Sequence, residues 1–445
     1  MMKRTERLLT ELYADDPERA DALAFGRRTS ASRRGFLGGA GLAAMGAAVG
    51  GIIPFASGMP AGLVPAALAQ SAAALSGPQR LDYPGKDPGL TLLGDRPLVA
   101  ETPESLLDDD TTTTPRFFIR NNGQIPEETT NADAWTIRID GEVNQPLAFT
   151  LGDLKARFPA RTYRMVMECG GNGRSFYQPP ARGNQWTNGG AGCAEWTGVP
   201  LAELLQAAGL KPGAAYTGLY GADPHLSGDP DKAAISRGFP LAKGMEPHTL
   251  VVFAMNGAPL SHIHGGPVRL ITPGWPGSLS PKWLTRVWVR DREHDGQGMG
   301  GTSYRVPTTP IVPGSNVDGK AGFQNMESMP TRSILTSPAN GTRIAKGTRE
   351  LAVRGAAWGG DHAVRSVDVS VDFGQTWTGM ALADARNRYD WRRYTGKVAL
   401  PSDGYYELWT RATDARGIMQ PHVAANWNPQ GYGANPFHRI AVLVG

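Results

Sequence analysis

Apolar and polar residues alternate cleanly over Trp135–Gly141 (WTIRIDG), a two-residue period that predicts a half-buried strand. Short apolar runs at Phe117–Asn122 (FFIRNN), Tyr163–Met167, Thr217–Leu219, Leu250–Met255, Pro267–Thr272 and Thr285–Arg290 predict further strands, most closed by glycine, proline or asparagine. Helical spacing is visible in two short places. One is Leu151–Phe158, with Thr150 placed to cap it, and the other is Pro200–Leu205. Residues 221–247, with Asp223, His225 and Arg237, read as a long polar loop. Short strands, few helices and long loops predict an α+β domain over 116–310.

The pattern changes after a proline- and glycine-rich connector at 311–330. Ile334–Leu335, Leu351–Gly355, Val364–Phe373, Gly396–Leu400, Tyr405–Ala412 and His438–Val444 recur at the spacing of a two-sheet domain, and Val367, Val369 and Val371 alternate with polar neighbours. An immunoglobulin-like β-sandwich without an intersheet disulfide is predicted over 331–445. Residues 70–115, rich in proline and poor in pattern, predict an extended arm wrapping the domain surface.

Residues 1–69 read as an address. Arg33–Arg34, then Gly35, Phe36 and Leu37, form a twin-arginine export motif, and Gly38–Phe55 is a moderately apolar run. Ala67-Leu68-Ala69 is a small-residue cleavage site leaving Gln70 first. Pro54, Pro60 and Pro65 argue against a membrane helix. The expected mature protein is periplasmic, exported folded, with no membrane span.

The 445 residues suffice for two domains or three, and a hydrophobic content of 40% fills their cores. The 45 basic against 41 acidic residues show no dense positive stripe, which argues against a nucleic-acid binder. The two cysteines build no disulfide framework, and no CxxCH occurs, so no covalent c-type haem is expected on this chain.

The candidate chemistry centres on Met165–Ser175 (MVMECGGNGRS), where Cys169 follows a strand and precedes a glycine turn that carries Arg174. A cysteine taken alone is more often a small buried hydrophobe, and Cys193 is read that way. Three further polar clusters sit at strand ends: Arg120-Asn121-Asn122, His264 to Arg269, and Lys282. Arginine, lysine and glycine-turn amides suit an anionic ligand rich in acceptors, whereas a thiolate suits a soft metal. One thiolate among anion-binding groups fits a metal held mostly by its own organic cofactor. A zinc or copper ion on His262, His264 and Cys169, in a non-catalytic exported module, is the competing reading.

ECGGNGRS, GCAEWTGVPL, HGGPVRL with PGWPGS and PKWL, and QPHVAANWNPQGYG resemble the sulfite oxidase family of molybdenum enzymes from about Phe117 to the end. Within it, ISRG at 235–238, HIHGGPVRLITPGWPGS and NWNPQGYG are similar to the molybdenum subunits of Sox-type sulfane dehydrogenases. The resemblance implies a sulfite-oxidase-type molybdopterin-binding domain, then a dimerisation domain, with molybdenum held by molybdopterin and by Cys169. It implies cofactor contacts at Phe118, Ile119, Arg120, Asn121, Asn122, Asp223, His264, Arg269 and Lys282. It implies a substrate pocket of Arg120, Arg174 and Tyr304, with a further arginine from the terminal domain, for which Arg388 is the candidate beside Arg386. Asn122 stands where sulfite oxidases commonly have histidine, which favours a substrate other than free sulfite. The implied reaction oxidises sulfane sulfur on the swinging cysteine of a carrier protein. Electrons leave to a c-type cytochrome subunit, and the assembly is a homodimer or a heterotetramer with that cytochrome. A sulfite:cytochrome c oxidoreductase of the same family is the alternative.

Overall fold

The computed structural model describes residues 15–17, 19–20, 79–317 and 319–445. The twin-arginine motif and the cleavage site at 67–69 lie outside the described residues.

Two sheets build the first half. In one, Arg161–Glu168, Ala191–Pro200, Leu250–Met255 and Ala258–Pro259 run in that spatial order, and Arg269–Ile271 also pairs with Leu250–Met255. In the other, Leu147–Thr150, Thr136–Gly141, Leu284–Arg290 and Tyr216–Gly221 lie side by side. Their apolar faces, with the helices Leu151–Arg157 and Leu201–Ala208, close on one core that includes Ile137, Phe149, Leu204, Val251 and Val287. Thr150 caps its helix reciprocally with Asp153: the Asp153 amide donates to Thr150 Oγ1 at 3.0 Å, and the Thr150 amide to Asp153 Oδ2 at 2.9 Å.

The ten-residue strand Ala191–Pro200 was not visible in the hydrophobic pattern. Its glycines hide the alternation, and the packing requires them. A Cβ on Gly198 would lie 2.1 Å from the Val251 carbonyl oxygen, so only glycine lets the two strands approach.

The expected extended arm is corrected. Thr91–Asp95 and Leu98–Glu101 form an antiparallel hairpin, and the second strand pairs with Ile119–Arg120. Leu81, Leu90, Ala100, Ile119 and Ile263 bury one cluster beneath it. Over its described residues the arm therefore carries a small sheet that anchors the FFIRNN segment, whose strand shrinks to Ile119–Arg120.

In the second half, Arg332–Ser337, Glu350–Trp358, Arg392–Ala399 and Ala381–Leu382 form one sheet in spatial sequence. Thr342–Ile344, His438–Val444, Gly404–Asp414, Val364–Ser370 and Thr378–Gly379 form the other. Leu335 and Val353 from the first meet Val367, Tyr406 and Val442 from the second in one core. Buried ion pairs join the two halves. Arg164 grips Asp390 with two bonds of 2.8 Å, and Arg332 meets Glu168 at 2.8 Å. Among the described residues no helix is long and apolar enough to cross a membrane.

Candidate active site

The strand Arg161–Glu168 delivers Cys169 to a turn held by backbone hydrogen bonds. The Cys169 amide donates to the Gly190 carbonyl at 2.8 Å, and its carbonyl accepts from the Asn172 amide at 2.9 Å. Asn172 Oδ1 accepts from the Gly190 amide at 3.0 Å, which ties the turn to the neighbouring strand. The thiol, 8% exposed, lines a cleft whose empty volume, open mouth included, is about 680 Å³.

Phe118, Arg120, Asn121, Asn122, Asp223, His264, Arg269, Lys282 and Tyr304 line the same cleft, so segments far apart in sequence converge on it. Arg269 Nη1 donates to the His264 carbonyl at 2.8 Å, and its Nη2 to the Ser280 carbonyl at 2.7 Å. Lys282 Nζ donates to Asn121 Oδ1 and to the Ile263 carbonyl, each at 2.6 Å. The Tyr304 hydroxyl meets Asn122 Oδ1 at 3.4 Å. Arg120 Nη1 bonds the Asn121 carbonyl.

Three expected residues stand elsewhere. Ile119 turns its side chain into the cluster under the hairpin, so only its backbone faces the segment's neighbours in the site. Arg174 is buried outside the lining, donating from Nε to the Gln430 carbonyl at 2.7 Å and from Nη1 to the Asn184 carbonyl at 2.8 Å. Arg388 does not reach the cleft. Its Nη2 lies 3.2 Å from Asp361 Oδ1 and 3.6 Å from Glu246 Oε1, acids that hold it at the outer junction, while Arg386 pairs with Glu195 at 2.8 Å. The three proposed zinc or copper ligands do not converge either. His262 Nε2 faces the Pro126 carbonyl at 2.8 Å and His264 Nε2 faces Lys86 Nζ at 2.9 Å. Among the described residues no three His, Cys, Asp or Glu side chains are grouped to hold a metal.

Sequence reasoning missed Lys86, which the hairpin region carries under the site. Its Nζ also donates to the Thr114 and Phe117 carbonyls, each at 2.6 Å. In sequence it stands in a proline–glycine turn (PGKDPG), the usual place of a solvated lysine, so nothing local marks it. It missed the roles of Met167 and Ser278 in the lining, and left Arg237 without one, although ISRG had drawn notice.

The electrostatics ask for an anion. Burial, then repulsion from Arg269, pushes the Lys282 ammonium well below its ordinary range. Burial brings Lys86 down to about 7 and Arg269 down to about 9. Burial, with Lys86, Lys282 and Arg269 around it, holds His264 well below its usual value. Asp223 is the one carboxylate in the lining, and burial raises it to about 6. A desolvated cationic wall with so little countercharge fits the phosphate and pterin oxygens of an organic cofactor. The single thiol opposite fits one soft-metal bond. The donor set therefore suits a molybdopterin-bound metal and not a metal bound by protein alone.

Residues 122–298 match the family model of the oxidoreductase molybdopterin binding domain, and residues 324–445 that of the Mo-co oxidoreductase dimerisation domain. The chain is 33% identical over 384 residues to mitochondrial sulfite oxidase of Homo sapiens, covering 82% of this chain and 67% of that protein. It is 32% identical over 383 residues to the Rattus norvegicus enzyme, covering 81% and 67%. Among solved structures, the sulfane dehydrogenase SoxCD from Paracoccus pantotrophus is similar at a TM-score of 0.66 and 26% identity, covering 87% of this chain and 93% of that one.

Proposed function

The chain belongs to the sulfite oxidase family of molybdopterin-dependent oxidoreductases, and on that premise we propose that it oxidises sulfane sulfur carried on a cysteine of a partner protein. The observation that carries this reading is the cleft itself, in which one thiol, Cys169, faces a wall of buried cations. The likeness to sulfane dehydrogenase, spanning 93% of that chain, supports the sulfane substrate. Asn122 at the hydroxyl of Tyr304 supports it too.

Molybdopterin supplies, when bound, a molybdenum centre that takes an electron pair from sulfur and releases electrons singly. In this reading Cys169 gives the protein thiolate. His264, Arg269 and Lys282 seat the phosphate end. Phe118, Arg120, Asn121, Asn122 and Asp223, with the backbone of Ile119, hold the pterin. Arg120 and Tyr304 orient the charged end of the substrate and stabilise negative charge as it shifts. Arg174 acts one ring behind Tyr304.

The wider reading has three parts. A c-type cytochrome subunit takes the electrons. Residues 331–445, as an immunoglobulin-like sandwich, pair two copies. The twin-arginine leader delivers the folded protein to the periplasm. A second reading, sulfite:cytochrome c oxidoreductase, is favoured by the 33% identity to a sulfite oxidase. The two separate in one assay: purified protein and oxidised cytochrome c, supplied either with free sulfite or with a carrier protein bearing sulfane sulfur. Reduction only with the carrier is expected. Rapid reduction by sulfite alone establishes the second reading instead.

A further inference from the structure

A column of four side chains meets the cleft wall at Tyr304. The Arg237 guanidinium carbon lies over the Tyr304 ring, 4.4 Å from its centroid. Tyr304 stacks on Tyr432 with centroids 4.8 Å apart and planes 17° from parallel. The Arg174 guanidinium carbon lies over Tyr432 at 5.4 Å. Taken contact by contact, the order is Arg237, Tyr304, Tyr432, Arg174. The column joins the loop before Phe239, the segment leading into Arg305–Pro307, the terminal half and the cysteine turn.

Arg237 is the unusual member. It is 2% exposed, yet among the described residues its guanidinium bonds a neutral hydroxyl and no carboxylate. Its Nη1 donates to Ser278 Oγ at 2.7 Å, and its Nε is buried with no partner. Tyr216, Tyr304 and Tyr432 lie close enough to favour its charge, against a burial that lowers it to about 10. The two groups it touches most closely, Tyr304 and Ser278, both line the cleft, whereas Arg237 does not. A buried cation kept without a counter-ion is costly unless its field is used. Tyr304 itself has a left-handed backbone, φ 47°, uncommon for a residue with a side chain.

We infer that Arg237 is a positioning residue for the anionic end of the substrate. It clamps the Tyr304 ring against Tyr432, so that the phenol stays aimed at Asn122, and its bond to Ser278 fixes the guanidinium in place. Tyr432 is the opposing jaw. Its amide donates to Asn428 Oδ1 at 2.9 Å and its carbonyl accepts from the Tyr177 hydroxyl at 2.9 Å. The terminal half thereby shapes the substrate pocket through a ring stack, and among the described residues none of its arginines lines the cleft. The inference rests on the reading of the cleft as a sulfur-oxidation site.

The test is a double-mutant cycle on holoenzyme, with carrier-bound sulfane as donor and cytochrome c as acceptor. Arg237→Met is expected to lower kcat/KM about tenfold, mainly through KM, with molybdenum content unchanged. Arg237→Lys, which keeps a cation over the ring, is expected to recover to within about threefold of the parent. In a Tyr304→Phe background, Arg237→Met is expected to add less than about twofold, because it acts through the hydroxyl that is already gone. The inference is overturned by any of three results. One is a full tenfold cost in that background. Another is an unchanged kcat/KM in Arg237→Met. The third is an Arg237→Lys variant no better than Arg237→Met. If Arg237→Met does not accumulate as folded protein, Tyr432→Leu substitutes for it, with the same expected KM rise and the same dependence on Tyr304; independence from Tyr304 overturns the inference. A parent enzyme that oxidises no sulfur donor defeats the functional reading and is recognised before any variant is compared.

Discussion

Arg332 Nε lies 2.8 Å from Oε1 of Glu168, the residue immediately before Cys169, and both side chains are fully enclosed. Trp358 Nε1 donates to the other carboxylate oxygen at 2.8 Å, and Asn172 Nδ2 shares Oε1 at 2.9 Å. The second half of the chain thus fixes the backbone from which the thiol projects. Arg332→Met strands a buried carboxylate and is expected to cost about 3–5 kcal/mol, read from the denaturant midpoint. Adding Glu168→Gln removes the stranded charge and is expected to restore part of that loss.

The cofactor-free protein is expected to grow more stable as pH rises from about 7 towards 10. Lys86 is lowered to about 7 by burial, and Arg269 to about 9. In that window the unfolded chain binds more protons than the fold, so unfolding free energy increases with pH. Asp223, raised to about 6, and Glu101, raised to about 7, drive stability the opposite way only below pH 7. Thermal unfolding of cofactor-free protein across pH 7–9.5 checks the sign. Millimolar pyrophosphate is expected to flatten the slope by supplying the missing countercharge.

Lys282→Met separates cofactor retention from folding. The variant loses hydrogen bonds to Asn121 and Ile263 but also removes a desolvated charge. These effects oppose each other, so the cofactor-free protein is expected to unfold within a few degrees of the parent. Molybdenum per chain is expected to fall about tenfold for want of a charge-assisted contact.

Arg388→Ala is expected to leave kcat/KM within about twofold of the parent. Its side chain is 47% exposed and faces Asp361 and Glu246. A surface pair of this kind contributes about 0–1 kcal/mol to stability, so the melting temperature is expected to move little.

Regular alternation was legible over Thr136–Gly141, whose first residues alternate exposed and buried, and Leu250–Met255 was legible as a continuous apolar run buried on both faces. Both fall within a residue of the expected bounds, as does the Thr150-capped helix. Ala191–Pro200 was not legible because it packs glycines against Val251 and Phe117 instead of presenting large apolar residues. Cys169, His264, Arg269 and Lys282 were legible because glycine and proline turns frame them locally. Lys86 was not, since it reaches the site by tertiary packing from a turn with no local mark of chemistry; Arg237 and Tyr432 lie in the noticed segments ISRG and NWNPQGYG, but their stacking with Tyr304 is set by tertiary packing alone. Arg388 was misplaced for the converse reason: a charged residue in the terminal domain offers no sequence sign of which acids will hold it.

The most direct test is the rate at which purified holoenzyme, given carrier-bound sulfane, reduces a c-type cytochrome, compared between the parent and Cys169→Ala. Cys169 is a free cysteine with no disulfide to lose, so the variant is expected to remain folded. The account predicts turnover by the parent and a loss of at least about a thousandfold in Cys169→Ala. A silent parent, or a Cys169→Ala variant that keeps the parent rate, contradicts it.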